Sequence, residues 1–433
     1  MVMAVVVAML CGPASAAQVG LDVGLGNPTL MAGQKHTTYV KVSLTGFEWK
    51  RPADRPAVNI AIVIDKSGSM SGEKIRKAKE AAIIAVDRLG GKDIVSVVAY
   101  DHNIRVLVPA TKVSDKNAIR NGINQLSAGG NTALFGGVSK GSSELRKFLD
   151  KKRVNRVILI SDGLANVGPS SPKQLGELGA SLIKEGISVT TVGLGLGYNE
   201  DLMTQLARRS DGNHYFAENA TDLARIFKGE LGDVLSVCAQ EVTITIKCAA
   251  NIRPVRVIGR DADITGQNVT TVLNQLYSGQ EKYVMLEVEV PSTPQDKVLK
   301  IASVTVTYAN MANKTAEKLT STVSARFTKS KELVKKNVNR KVMIDVVAQV
   351  AADNNKKATA LRDAGKIKEA KKALLDNDGY LQYNATKYNS VKLRIQGTVN
   401  IGQAEGLEDG KWNRTRKGMR SHQNSMTNQQ RLK

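Results

Sequence analysis

Residues 59–75, NIAIVIDKSGSMSGEKI, decide the fold of this chain. After Asn59 the stretch opens with a run of Ile, Val and Ala residues that shows no helical period and ends at Asp65. Such a run predicts a strand, and because it is apolar on both faces we expect a parallel sheet covered by helices. Ser67 and Ser69 follow in a short turn, so the predicted strand leads directly into a cluster of oxygen-bearing side chains.

The segment 57–237 alternates between strand-like and helical patterns. Strands are predicted at 59–65, 93–101, 105–113, 155–162, 187–194 and 214–217. Helices are predicted at 72–89, 115–126, 133–152, 172–185, 200–210 and 221–237. This alternation predicts an α/β fold with a doubly wound, mostly parallel sheet. Only a few residues separate the second strand from the third, so we expect this pair to form a hairpin with an antiparallel edge strand.

Three loops of this predicted sheet carry side chains with oxygen atoms. Asp65, Ser67 and Ser69 belong to the first loop, Thr132 lies in the Gly-rich stretch GGNTAL, and Asp162 ends the run VILISD. In a doubly wound sheet, ligands bind beyond the carboxyl ends of the strands, where the strand order reverses. If the strands that end at Asp65 and Asp162 are neighbours, all five side chains meet in that crevice.

These five side chains predict a site for a hard divalent cation. Three hydroxyls and two carboxylates, without Cys or His, suit Mg²⁺, Mn²⁺ or Ca²⁺ rather than zinc. Because these ligands bring only two negative charges, they balance the charge of the cation without exceeding it, and the cation would keep a position for an outside oxygen, typically a partner's carboxylate. The alternative is that the same residues only cap neighbouring helices, with Thr132 as an N-cap.

The pattern Asp65-Lys66-Ser67-Gly68-Ser69, then Thr132, then Asp162 followed by Gly163, resembles the metal-ion-dependent adhesion site of von Willebrand factor type A domains. All five motif positions are present in the expected order. The flanking segments resemble bacterial secreted proteins in which such a domain is embedded in a β-rich region and followed by a helical C-terminus.

This resemblance implies a metal-dependent module for protein binding or adhesion that grips an acidic residue of a partner. Ser67, Ser69 and Thr132 would bind the cation directly, and Asp65 and Asp162 would bind it directly or through water. Four neighbouring residues are then predicted to contact the partner: Gly68, Met70, Asn131 and Gly163.

Regions of different pattern flank the α/β segment. Residues 17–56 and 238–329 alternate with period two, which predicts an antiparallel β-sandwich in which the α/β domain is inserted or by which it is flanked. Residues 330–395 lack proline and repeat apolar residues every three or four positions, which predicts an α-helical hairpin. Residues 396–433 are polar and basic, and we expect a disordered tail.

The N-terminus and the cysteines bear on the compartment. Residues 1–16 hold an apolar run too short to span a bilayer and end in the small-x-small form of a signal-peptidase site, ASA. We therefore expect a signal peptide and a secreted or periplasmic location. In an exported chain Cys238 and Cys248 invite a disulfide, but an extended strand between them would hold the thiols apart, so both states stay open.

The chain carries a net charge of +22, from 62 Lys and Arg against 40 Asp and Glu. This excess favours anionic partners, such as an envelope surface contacted by the basic tail. Nucleic acid is not an expected partner, because aromatic residues make up only 4% of the chain and no helix-turn-helix or RNA-recognition pattern occurs.

Catalysis is not expected either. The four histidines lie in no metal-binding spacing, and neither G-x-S-x-G nor the phosphate-binding G-x-x-x-x-G-K-[ST] occurs. The pair Asp65 and Asp162 alone would suit acid–base chemistry, but metal binding also explains the hydroxyls. The alternative to a binding module is a structural or assembly protein of the cell envelope, in which the metal only stabilises the loops.

Overall fold

The computed structural model describes residues 18–49, 51 and 54–430. The predicted signal peptide, residues 1–16, lies outside this part of the chain. The described residues begin with three strands, β1 (Gly20–Leu25), β2 (Thr29–Met31) and β3 (His36–Thr45).

The next six strands form one sheet. They are β4 (Val58–Asp65), β5 (Ile94–Tyr100), β6 (Ile104–Lys112), β7 (Val154–Ser161), β8 (Ile187–Leu194) and β9 (His214–Ala217). Their order is β6-β5-β4-β7-β8-β9, and all neighbours are parallel except β5 and β6, which form the predicted antiparallel edge. The strand order therefore reverses between β4 and β7, which are hydrogen-bonded neighbours.

Helices cover both faces of this sheet. They are α1 (Glu73–Arg88), α2 (Lys116–Asn124), α3 (Leu134–Arg146), α4 (Pro172–Lys184), α5 (Glu200–Arg209) and α6 (Asp222–Val234). Ile60, Ile62 and Ile64 of β4 pack in one apolar cluster with α1, α2 and α6, and Ala61 and Val63 pack in another with α3, α4 and α5. Burial of both strand faces explains the continuous apolar run, and the predicted doubly wound α/β fold is confirmed.

Seven further strands follow the α/β domain. They are β10 (Val237–Cys248), β11 (Arg253–Ile258), β12 (Asp263–Thr265), β13 (Asn268–Tyr277), β14 (Glu281–Val290), β15 (Val298–Asn310) and β16 (Thr315–Thr328). They combine with the N-terminal strands into two sheets, in the orders β1-β3-β14-β11 and β12-β13-β10-β15-β16-β2. One apolar cluster takes Val42 from the first sheet and Ile244 and Val304 from the second.

Cys238 and Cys248 lie near opposite ends of β10, and both thiols are free. At ~3.3 Å per residue, a strand of this length separates them by roughly 30 Å. The disulfide left open by the sequence is therefore absent. Burial raises the pKa of Cys238 to about 12 and that of Cys248 to about 11, so both thiols are held in their protonated, unreactive form.

A buried polar cluster joins the α/β domain to the six-stranded β-sheet that contains β13. Arg156 on β7 is fully buried and forms an ion pair with Glu230 of α6, 3.2 Å away. The same guanidinium donates hydrogen bonds to Thr190 of β8 at 2.9 Å and to the Tyr277 hydroxyl of β13 at 2.8 Å. These contacts fix the start of β7, the strand whose far end leads to Asp162.

The C-terminal region is helical well beyond residue 395. Its helices are α7 (Lys331–Lys336), α8 (Arg340–Asp363), α9 (Ile367–Tyr388), α10 (Val391–Glu405) and α11 (Asp409–Thr427). The helices α8 and α9 pack as an antiparallel pair, and Val342 and Val346 of α8 pack against Tyr283 and Met285 of β14. None of the helices in the described residues is long and apolar enough to cross a membrane.

The predicted disordered tail, residues 396–433, is wrong for the described residues up to 430. Helix α11 has few apolar residues, but Met419 is fully buried and Lys417 is nearly so. Arg416, Lys417 and Arg420 form ion pairs with acidic residues of α5 and α8 instead of extending into solvent. The polar composition of this segment was misleading, because the acidic partners of these charges lie more than 50 residues away in the sequence. These residues are also unavailable as a free basic arm for an anionic surface.

Candidate metal-binding site

The crevice between β4 and β7 brings the two predicted carboxylates together. Asp65 is the last residue of β4, and Asp162 directly follows β7. The two strands are paired in register as far as Ile64 and Ile160. Both carboxylates are almost completely buried at this edge of the sheet.

A tight turn holds the two serines beside the carboxylates. The Ser67 backbone N–H donates to Asp65 Oδ1 at 2.8 Å, and a single 3₁₀ turn follows at Gly68–Met70. The hydroxyl oxygens of Ser67 and Ser69 lie 3.1 Å apart, and Ser69 Oγ donates to Asp162 Oδ1 at 2.7 Å. The turn therefore links the end of β4 to the end of β7.

Thr132 completes the set from a neighbouring loop. The Gly68 N–H donates to the Gly130 carbonyl at 3.0 Å, so this loop lies against the serine turn. A Cβ atom placed on Gly163 would lie 3.0 Å from Thr132 Oγ1, 3.5 Å from Ser69 Oγ and 3.7 Å from Asp65 Oδ2. Side chains from three loops thus surround one small space, which the absence of a side chain at Gly163 leaves open.

The electrostatics of this space favour a cation. Burial raises the pKa of Asp65 above its ordinary value, while hydrogen bonds from Ser161 and Ser67 lower it and the charge of Asp162 raises it. Lys74 at the start of α1 approaches Asp162 Oδ2 to 2.5 Å, but its side chain is 37% exposed. Two buried carboxylates close together carry more negative charge than this one partly solvated ammonium balances.

The donor set fits a hard divalent cation. Among the described residues, no three side chains of His, Cys, Asp or Glu gather as a metal site. The two carboxylates of this crevice are supplemented by three hydroxyls instead, which is chemistry that suits Mg²⁺ and related ions. The capping alternative is not observed, because α1 has Gly72 and α3 has Ala133 as the N-cap, without a side-chain capping bond.

Three of the four residues predicted to contact a partner lie at the crevice surface. Gly68 and Asn131 are exposed, and Gly163 is half-buried. Met70 is fully buried in the apolar cluster that includes β4 and α1, so its assignment to the partner surface is wrong. The 3₁₀ turn directs this side chain into the core, where a large apolar side chain such as Met is commonly found.

Sequence reasoning missed three residues that support the site. Ser161 donates to Asp65 Oδ2 at 2.6 Å, Asn166 Oδ1 accepts from the Thr132 backbone N–H at 2.8 Å, and Lys74 pairs with Asp162. Ser161 and Asn166 flank Asp162 closely in the sequence. Their position close to Asp162 in the sequence could have pointed to them. The direction of their side chains, however, depends on the folded loop.

Comparison with known proteins agrees with the fold of this domain. Residues 59–229 match the family profile described as the von Willebrand factor type A domain. This segment of the chain is a von Willebrand factor type A (VWA) domain. Over most of its length the chain also shares the fold of a solved structure, "von Willebrand factor type A from Catenulispora acidiphila". That comparison has a TM-score of 0.71 and 16% identity, and it covers 90% of this chain and 89% of the other.

Two bacterial relatives extend the similarity. An uncharacterized Synechocystis protein is 28% identical over 54% of this chain, and the uncharacterized Escherichia coli protein YfbK is 27% identical over 48% of it. The chain spans 57% and 37% of the lengths of these two relatives.

Proposed function

We propose that this protein is an exported binding protein whose VWA domain uses a divalent cation to grip an acidic residue of a protein partner. VWA domains commonly mediate protein–protein interaction and commonly bind a divalent metal at this site. The single observation that carries the proposal is the arrangement around Gly163. Side-chain oxygens of Asp65, Ser69 and Thr132 all lie within 3.7 Å of the position that a Cβ atom on Gly163 would take.

Asp65, Ser67, Ser69, Thr132 and Asp162 would hold Mg²⁺, or Ca²⁺ or Mn²⁺ in its place. When bound, the cation supplies positive charge for a partner's carboxylate. Ser161 and Asn166 orient Asp65 and Thr132, which keeps the oxygens in place before the partner arrives. Exposed Gly68 and Asn131 leave room for a partner at the rim of the crevice.

The buried Asp65 and Asp162 offer a clean test with isosteric variants. The purified full chain, immobilised with Mg²⁺, is expected to capture a protein from the native envelope fraction, and EDTA is expected to release it. Asp65→Asn and Asp162→Asn should abolish capture, whereas Asp87→Asn, an exposed residue of α1, should retain it. Capture that survives both EDTA and the two crevice substitutions would contradict the proposal. Fractionation of native cells tests the expected export in parallel.

A second candidate function is a structural or assembly role in the cell envelope. Exposed apolar side chains on α9 and α10 favour it, since Tyr383 is 68%, Val391 63% and Ile395 60% exposed. In this case the two β-sheets outside the VWA domain, which we propose to form a sandwich, and the helices would make the contacts, and the metal would only stabilise the VWA loops. Ile395→Glu should then abolish capture while Asp65→Asn leaves it unchanged.

A further inference from the structure

A second charged site lies far from the metal-binding crevice, between the VWA domain and the strands that follow it. It is a cavity of about 340 Å³. Its walls come from α4, α5, the segment around β12, β13 and the end of α11. Three arginines line it, Arg208 and Arg209 from α5 and Arg260 from the loop before β12.

The charges around this cavity do not balance. Arg208 and Arg209 share one carboxylate, Asp261, at 3.0 and 2.9 Å. Arg260 and Lys282 share another, Asp211, at 2.8 and 3.6 Å. Lys282 contacts Asp211 from outside the cavity wall. With it included, four cations share two carboxylates, which leaves a surplus of two positive charges in and directly behind the wall. At the rim, exposed Lys184 and Asp263 offset each other.

The group formed by Arg260, Lys282 and Asp211 is buried, which makes its one surplus positive charge costly. Arg260, Lys282 and Asp211 have side chains that are 11%, 4% and 4% exposed. Burial alone would raise the pKa of Asp211, but the charges of Lys282 and Arg260 hold it below its ordinary value, so this carboxylate stays ionised. Charges removed from water need compensation by an opposite charge, because the surrounding protein screens them poorly.

Unused hydrogen-bond donors lie at the same place. Arg260 uses Nη1 for Asp211, but its Nε and Nη2 are buried without a hydrogen-bond partner. The hydroxyl of Thr427, which also lines the cavity, is likewise buried without one. Buried donors of this kind are normally satisfied, so their presence in the wall indicates a ligand with acceptor oxygens.

We propose that this cavity binds a phosphate group, held by Arg208, Arg209 and Arg260. A phosphate monoester carries about −1.5 to −2 charge at neutral pH, which matches the surplus, whereas a carboxylate supplies only one negative charge. The planar guanidinium group also pairs with phosphate oxygens in a bidentate manner. The cavity is larger than a phosphate and has an apolar wall of Ala180, Ile183, Ala262 and Val272, which suits the organic part of an ester.

Calorimetric titration of the full chain tests this site. The probes are inorganic phosphate and glycerol 3-phosphate, and EDTA is present so that the metal-binding crevice plays no part. We expect binding of at least one probe, and Arg209→Met should weaken it by about tenfold or more through the loss of a charge-assisted contact. Arg105→Met on β6 is the matched control, because it removes the same charge from an exposed position outside the cavity.

The variants and probes separate the outcomes. Arg209 is 41% exposed, so Arg209→Met should remain folded where the more buried Arg260→Met does not. Tighter binding of glycerol 3-phosphate supports an ester as the ligand, and binding of inorganic phosphate alone supports the free anion. The proposal is overturned if neither probe binds, or if Arg209→Met and Arg105→Met weaken binding equally. Neither result bears on the metal-binding crevice.

Discussion

The VWA domain and the C-terminal helices α8–α11 bury their residues in different ways. In the VWA domain every residue of β4 is buried, and its apolar side chains belong to two clusters that also take apolar residues from six helices. Between α8 and α11 the buried contacts include amides and charges, such as Gln423 Nε2, which donates to Asn355 Oδ1 at 2.8 Å. Apolar burial has no direction, whereas each amide or ion pair depends on one particular partner. Stability in the VWA core should therefore fall with the volume of apolar side chain that a substitution removes. Stability of the α8–α11 contacts should fall when a single hydrogen-bonding or charged group is removed.

The largest effect is expected from a cavity in the VWA core. Phe227 of α6 is fully buried, so Phe227→Ala should lower the free energy of unfolding by about 3–5 kcal/mol. Tyr383→Ala on α9 is the control, because this ring is 68% exposed and its loss should change the free energy by about 0.5 kcal/mol or less. Urea denaturation followed by circular dichroism measures both. Equal costs would show that Phe227 is not packed in the apolar core of the VWA domain.

A smaller and more local effect is expected from the ionic contacts of α11. Arg416 pairs with Asp201 at 2.6 Å and with Asp363 at 2.8 Å, and also contacts Glu200. Arg416→Met leaves these acids without this partner, and we expect the free energy of unfolding to fall by about 2 kcal/mol. This is less than for a fully buried ion pair, because Asp201 and Asp363 are partly exposed. Hydrogen exchange should increase in Asp409–Thr427 and stay unchanged in β4.

The control for this change lies on the same helix. Arg414 pairs with Glu218 at the surface, where both side chains are well exposed. Arg414→Met should cost at most about 0.5 kcal/mol. If Arg416→Met and Arg414→Met show the same hydrogen exchange in α11, the Arg416 contacts do not hold this helix in place.

Sequence patterning was informative where burial is apolar. The strands and helices of the VWA domain followed from runs such as residues 59–65. Asp65 and Asp162 followed from where those runs end, and Ser67, Ser69 and Thr132 from the polar loops. Ser161 and Asn166 were not foreseen, because their role depends on loop geometry. Helix α11 was missed for a related reason, since Lys417 and Arg416 look like solvated charges until Glu200 and Asp201 are placed beside them.

The smallest expected effect is the acid sensitivity of α11. Burial alone would raise the pKa of Asp201, but Arg416 and Arg420 lower it below its ordinary value. A lowered folded-state pKa adds stability that is present above the unfolded value, about 3.9, and is lost as the pH falls through the lower folded value. Docking of α11 should thus be unchanged between about pH 7 and 5 and weaken below about pH 4.

Fluorescence of Trp412 on α11 reports this transition in a Trp49→Phe background, which leaves one of the two tryptophans. The variant Asp201→Asn lacks the titrating carboxylate and should show a shallower acid dependence. An unchanged acid profile in this variant would show that Asp201 does not couple pH to the docking of α11.

The central claim is that Asp65, Ser67, Ser69, Thr132 and Asp162 form a divalent-cation site. Calorimetric titration of Mg²⁺ into the full chain tests it directly, with Asp65→Asn and Asp162→Asn as variants and exposed Asp87→Asn as the control. The account predicts one saturable site that both crevice variants weaken by about tenfold or more and that the control leaves unchanged, while unfolding in EDTA is similar for all. Equal Mg²⁺ binding by the wild type and both crevice variants would contradict it.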